Sequence, residues 1–267
     1  MTNQKPVFTY WEGKFPLVNR ICTLSIKKVF KEQHIHVTPE TLGNYIDVSK
    51  FPSWVSKTNV GHRSDMIRIF LLKEYGGWWF DCDILLKKDP TALIKNSSKT
   101  YIWKEAVTEK KFEGYGVCPA ILYTPRDSVY INEAYRRGLN FKKSLNVDPN
   151  SEDGWVDLMR ECLAKPAVIP ELEVVIGNSI PFYNMDHVNN WWKCWDGSLK
   201  LSNFEYGVQF NTSFIRRAMF LPLGYEELPN RILSLSSVED LRTKLPESNL
   251  AEYVDIANLT DSEINEI

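Results

Sequence analysis

The sequence has little of what most site chemistries are built from. Its 267 residues include four histidines, His34, His36, His62 and His187, which form no metal-ligand spacing. The five cysteines, Cys22, Cys82, Cys118, Cys162 and Cys194, are scattered, odd in number and without a C-x-x-C pair. That argues against a zinc site or a disulfide framework and for a reducing compartment. No apolar run approaches the ~18 residues of a membrane span, and the opening M-T-N-Q-K-P lacks the apolar core of a signal peptide. The expectation is a soluble, cytoplasmic protein. Charge is nearly balanced, at 32 Lys and Arg against 34 Asp and Glu, so nothing electrostatic calls for a nucleic-acid partner. There is no nucleophile elbow, no P-loop and no Rossmann glycine fingerprint. Without internal repeats or low-complexity linkers, one domain is expected over 1–267.

What is present in excess is aromatic surface, 13% of residues with nine tryptophans. Such residues fill cores and also stack against sugars and bases. Val7 to Trp11 reads as a strand ended by Glu12-Gly13-Lys14. Pro16 opens a helical period over Leu17 to Phe30, and His34 to Val37 reads as a second strand. A short helix is expected around Thr41 to Ile46. A longer one starting near Ser64 is stopped at Gly76-Gly77, before a strand over Trp78 to Phe80. Tyr101 to Trp103, Val117 to Tyr123 and Val174 to Ile176 are further strand candidates, with helices over Val129 to Leu139 and Trp155 to Leu163. Alternation at this pitch predicts an α/β fold with a mostly parallel central sheet flanked by helices. Ser236 to Ile267 reads as polar and net acidic, with weak helical segments.

The chemistry gathers at the strand end. Asp81 and Asp83 are spaced i, i+2, which on a continuing strand puts both on one face and turns Cys82 away. Carboxylate oxygens suit hard ions, and Mg²⁺ commonly takes one or two of them with substrate phosphate and water. An EF-hand loop also begins D-x-D, but Leu85 and Leu86 stand where that loop needs an oxygen ligand and glycine. Asp65 and Arg68, i, i+3 on the preceding helix, share a face. Spacing alone favours an exposed ion pair between them, contributing roughly 0–1 kcal/mol, over a grip on sugar hydroxyls and phosphate.

The ordered set H-x-S-D-x-x-R-x-x-L-L-x-x-Y-G-G-x-x-x-D-x-D, over His62 to Asp83, resembles the signature of bacterial capsular polysaccharide synthesis proteins. It is also similar to the DXD-containing glycosyltransferases that include eukaryotic mannosyl- and galactosyltransferases and the catalytic domain of clostridial glucosylating toxins. Tyr10-Trp11-Glu12-Gly13 followed by Pro16 resembles the opening W-x-G segment of that family, and the similarity runs from about Val7 to Asp89. The resemblance implies a GT-A fold, a nucleotide-sugar donor, most readily a UDP-sugar, a glycan acceptor, and a Mn²⁺ or Mg²⁺ ion. Residues 1–90 then form a donor half, 91–235 an acceptor half and 236–267 a polar C-terminal segment. Carried over by position, Tyr10, Trp11, Ser64, Asp65, Arg68 and Asp81 bind the nucleotide sugar. Trp11 stacks on the base, Asp65 and Arg68 hold ribose and sugar, and Asp83 is the direct metal ligand with Asp81 beside it.

An inverting transferase needs a carboxylate base, and Ser151-Glu152-Asp153-Gly154-Trp155 supplies a pair at a helix start, where acids also suit the helix dipole. The run resembles the E-D pair of many inverting GT-A enzymes, and the T-G-P-like turn of retaining relatives is absent. The expectation is therefore an inverting hexosyl- or pentosyltransferase with Asp153 as base and Glu152 as second choice. The alternatives are a retaining enzyme, or an inactive protein that keeps the fold and binds sugar or nucleotide. Tyr206 to Asn211 resembles the late V-H-x-W-N segment, with Gln209 in place of His, which offers Asn211 or Gln209 as a further metal ligand. Trp191, Trp192 and Trp195 read first as core or lid packing, with acceptor stacking as the alternative.

Overall fold

The computed structural model describes residues 5–104, 116–141, 157–179, 181–182, 190–210, 212, 215 and 221–267. Six strands form the central sheet: β1 (Val7–Tyr10), β2 (His34–Val37), β3 (Gly77–Phe80), β5 (Thr100–Lys104), β6 (Val117–Thr124) and β7 (Val174–Gly177). Their order is β2-β1-β3-β6-β5-β7. β1 pairs in parallel with β2 and β3, β5 pairs in parallel with β7, and β6 alone runs against its neighbours β3 and β5. The mostly parallel α/β sheet expected from the sequence is what forms. The three strands from residues 1–90 lie side by side as β2-β1-β3, and β6, β5 and β7 follow them in that order.

Alternation along the strands separates two cores. Phe8, Tyr10, Trp79, Ile102 and Leu122 point towards helices α2 (Val60–Tyr75) and α3 (Val129–Asn140) and the helical stretch 157–167. Val7, Trp78, Phe80, Tyr101 and Trp103 point the other way, towards Ile26 and Phe30 of helix α1 (Leu17–Phe30). The first turns of α1 continue into a third cluster. There Leu17, Val18, Ile21 and Cys22 meet Val238, Leu241, Leu250, Val254 and Ile264 of the C-terminal helices. The segment 236–267 is thus a set of short amphipathic helices closing over α1, not only the polar end its composition suggests. Lys28 reaches Glu263 at 2.9 Å on the outside of the same contact.

The two ends of α2 set where the acidic residues beyond it fall. The helix begins four residues before Ser64, because Asn59 caps it by accepting the His62 backbone N–H at 2.9 Å, a contact of about 1 kcal/mol. Ser64 therefore lies inside the helix. At the other end Gly76 and Gly77 both have positive φ, +65° and +97°. A Cβ there would sit 2.3 Å from Arg126 N or 2.2 Å from Pro6 O. Only glycine turns the chain from α2 straight into β3, and that tight exit aims the residues after Phe80 across the head of the sheet.

Candidate donor and metal site

After Phe80 the chain leaves the sheet. Asp81, Cys82 and Asp83 form a turn closed by Ile84 N–H to Asp81 O at 3.1 Å. β4 (Ile84–Leu86) then pairs with β8 (Gly207–Gln209) in a separate two-stranded sheet. The carboxylates are not successive residues of one strand face, as their spacing suggested. They flank the corner where the chain passes from one sheet to the other.

Asp81 faces α2. Its Oδ1 accepts the Arg68 Nη2 at 2.6 Å and the Trp79 indole N–H at 2.7 Å. Arg68 is buried, lies 4.8 Å over the Trp79 ring, and donates its Nη1 to Pro119 O at 2.8 Å. Its Nη2 is also 3.5 Å from Asp65 Oδ1, and its Nε is buried without a hydrogen-bond partner. The exposed Asp65–Arg68 pair expected from helical spacing is instead buried, because this face of α2 is pressed against the sheet. Two carboxylates thus share one guanidinium. Burial raises Asp65 to about 7 against the pull of Arg68, with the Asp81 charge adding to the rise.

Asp83 faces α1 and β8. Its Oδ2 accepts the Thr212 backbone N–H at 3.1 Å and the Thr212 hydroxyl at 3.4 Å, and its Oδ1 lies 3.5 Å from the Gln209 amide nitrogen. Asn19 of α1 stands behind them, 3.3 Å from Cys82 O and 3.4 Å from Thr212 Oγ1. No cation of the described residues pairs with Asp83. Burial first, then the charge of Asp81, pushes it up to about 6. Among the described residues no group of three or more His, Cys, Asp or Glu surrounds a common point. A metal here therefore leans on one or two carboxylates and on ligand oxygens, the manner in which Mg²⁺ and Mn²⁺ meet a diphosphate. A buried carboxylate with only neutral donors among the described residues fits such an ion.

The remaining candidates divide. Tyr10 is buried and its hydroxyl donates to Glu12 Oε2 at 2.6 Å. Trp11 stacks on Phe15 at 5.1 Å between ring centroids, and Phe15 stacks in turn on His36. Ser64 is half-buried on α2. Gln209 is brought against Asp83, whereas Asn211, Glu152 and Asp153 lie outside the described residues. Trp191 and Trp195 are buried, with Trp195 against Phe210 at 4.9 Å, while Trp192 is half-buried beside Tyr225. Sequence reasoning missed Asn19 and Thr212. Asn19 left one sign, a polar residue inside the apolar opening turn of α1; Thr212 left none.

Fold and corner together define a mostly parallel α/β protein with a buried cationic side chain and a paired carboxylate at the head of its sheet. Residues 1–118 match the model of a family described as capsular polysaccharide synthesis protein. That span holds Tyr10 through Asp83 but neither Gln209 nor Thr212. No curated protein matches the chain. Among solved structures, the glycosyltransferase GlyE of Streptococcus pneumoniae TIGR4 is similar at TM-score 0.42 and 11% identity, over 97% of this chain and 65% of that one. The bifunctional glycosyltransferase WbbM is similar at TM-score 0.41 and 13% identity, over 88% of this chain and 52% of that one. The galactosyltransferase LgtC, solved with donor and acceptor sugar analogues, is similar at TM-score 0.37 and 12% identity, over 90% of this chain and all of its own. This chain thus spans 65% of the GlyE chain and about half of the WbbM chain.

Proposed function

We propose that the protein is a metal-dependent GT-A glycosyltransferase that moves a sugar from a UDP-sugar to a hydroxyl of a glycan acceptor. The observation that carries this reading is the corner itself, where Asp83 lies buried with no cation among the described residues while Asp81, two residues away, grips Arg68. In this reading Asp83 holds Mn²⁺ or Mg²⁺ directly, with Gln209 or Asn211 beside it. The ion, when bound, neutralises the leaving diphosphate. Arg68, fixed by Asp81, Pro119 O and Trp79, gives the donor a rigid positive wall, and Asp65 accepts from sugar hydroxyls. Trp11, backed by Phe15, provides the plane for the base. The match of residues 1–118 to the capsular polysaccharide family supports the sugar chemistry.

We further propose inversion, with Asp153 taking the acceptor proton and Glu152 as the second candidate. The five cysteines are scattered along the chain without a C-x-x-C pair and are buried, which suits a reducing compartment and a cytoplasmic site of action. Among the described residues no helix is long and apolar enough to cross a membrane.

The decisive experiment is a panel of UDP-sugars with Mn²⁺, scored for free UDP and for transfer. UDP release is expected with at least one donor. Release of a sugar phosphate instead would make this a phosphoryl hydrolase, and no turnover with no Mn²⁺-dependent thermal shift by UDP would remove the proposal. The anomeric proton of the product, read by NMR, decides inversion against retention, and an unchanged rate in Asp153→Ala removes Asp153 as base.

A further inference from the structure

The turn after β1 is fastened to α2 by a polar clamp that the donor site described so far does not use. Glu12 receives both arms of Arg63, Nε to Oε2 at 2.9 Å and Nη2 to Oε1 at 2.7 Å, across 51 residues of sequence. The Tyr10 hydroxyl donates to the same Glu12 Oε2 at 2.6 Å. Burial pulls the Glu12 carboxyl upward, but the hydrogen bonds from Arg63 and Tyr10 hold it below the ordinary range. Arg63 also reaches the carbonyls of Val55 and Ser56, 3.4 Å away in each case. One guanidinium therefore ties together the turn after β1, the short helical turn near 55–57 and the first turns of α2. The charges are about a quarter exposed, at 27% for Arg63 and 20% for Glu12, so this is a semi-buried bidentate pair and not a loose surface contact.

Trp11 sits between the two clamped side chains, Tyr10 and Glu12. Its other contacts are also fixed: Nε1–H donates to Lys14 O at 3.0 Å, across a turn in which Gly13 takes φ +80°, and one ring face lies on Phe15. Phe15 rests on His36 with only 3° between the planes, and His36 is held through Nδ1 to Thr9 Oγ1 at 2.9 Å. The indole is thereby locked in orientation, and the clamp locks its position relative to the helix that carries Asp65 and Arg68.

We propose that Glu12 and Arg63 are positioning residues of the nucleotide site, which hold Trp11 at a set distance from α2 so that a nucleoside diphosphate meets both at once. In this assignment Tyr10 serves the clamp and does not itself touch the ligand. The inference rests on the glycosyltransferase reading of the corner. Its energetic content is preorganisation: without the clamp, binding must order the turn, and affinity falls although no ligand contact has been deleted.

The test uses the full chain, with UDP in the presence of Mn²⁺ and Mn²⁺ alone titrated separately. Glu12→Gln, nearly isosteric, and Arg63→Met are each expected to weaken UDP about tenfold, with Mn²⁺ affinity within about threefold of wild type. In turnover, donor KM rises by more than kcat falls. Arg63→Lys, which keeps the charge but not the fork, recovers only part of the loss. UDP binding unchanged in both variants overturns the clamp alone. A matching loss of Mn²⁺ affinity marks a general disturbance of the fold and overturns it too. A wild type that binds no UDP with Mn²⁺ overturns the glycosyltransferase reading together with the clamp.

Discussion

Asp81 and Asp83 are two residues apart, yet they occupy opposite electrostatic settings. Asp81 accepts a guanidinium at 2.6 Å and an indole N–H at 2.7 Å on one oxygen. Among the described residues Asp83 has neutral donors only, the nearest at 3.1 Å. The first carboxylate is paired with the buried Arg68, which offsets part of the rise in pKa that burial imposes on it. Among the described residues the second has no cationic partner, a state whose cost is removed by protonation or by a cation. A D-x-D spacing makes the two look equivalent. The turn at Cys82 is what separates them, sending one side chain to α2 and the other to α1 and β8.

The largest effects come from striking each side separately. Asp83→Ala removes the carboxylate proposed to hold the metal ion and leaves no buried charge behind. UDP release should fall about a thousandfold or more, the scale of several kcal/mol of charge stabilisation, with the fold intact by circular dichroism. Retained activity would deny Asp83 a metal role. Arg68→Met is the opposite case, because it strands Asp65 and Asp81 without their shared cation. A stability loss of about 3–5 kcal/mol is expected in urea unfolding, as for other broken buried pairs. If Arg68→Met is instead neutral in stability, Asp81 is not the saturated member of the two.

How much of this was legible in the sequence obeys the same division. Local signals were strong where one residue type had one use. Pro16 and the apolar period set the limits of α1, and Gly76-Gly77 marked the end of α2, since no other residue fits beside Arg126 and Pro6. The six-stranded order was legible only as a class, because β6 inserts between β3 and β5 through long-range pairing that no local pattern encodes. The start of α2 was misplaced because Ser64 is a capping residue type, while the actual cap, Asn59, lies in a loop with no capping box. Burial of Asp65 and Arg68 was hidden for a different reason: an i, i+3 ion pair looks the same on a solvent face and on a sheet face. The C-terminal helices were underestimated because Leu241, Leu250, Val254 and Ile264 are diluted by charged neighbours, although they bury a full face against α1.

A smaller effect tests the neutral setting of Asp83 directly. Thr212→Val deletes the hydroxyl donor at 3.4 Å and leaves the backbone N–H at 3.1 Å. Oδ2 keeps one fixed partner and loses one orienting partner, so Mn²⁺ affinity should fall about tenfold, with little change in melting temperature. The same substitution leaves the Asp81–Arg68 side untouched. A loss of stability comparable to that of Arg68→Met would show that the two sides are one unit.

The smallest effect is a difference in pH dependence. Asp83 has a folded pKa of about 6, above the 3.8 of an ordinary aspartate, so in the metal-free protein its favourable contribution is complete below about 4 and is lost as pH rises through about 6. His34 and His36 act in the opposite sense. Burial lowers them to about 3 and about 4, so their contribution is present above about 6.5 and is lost as pH falls through about 4 for His36 and about 3 for His34. Those histidines are common to wild type and Asp83→Asn, so the difference between the two proteins isolates the carboxylate. Asp83→Asn should raise the metal-free melting temperature at pH 8 by about 2–4 °C, near 1 kcal/mol for a chain of this size. The gain should vanish at pH 4, where wild-type Asp83 is itself neutral. Saturating Mn²⁺ at pH 8 should reverse the order, since only the carboxylate gains from the ion. A gain that stays constant from pH 4 to pH 8 would show that Asp83 is compensated after all, and the contrast with Asp81 would fall.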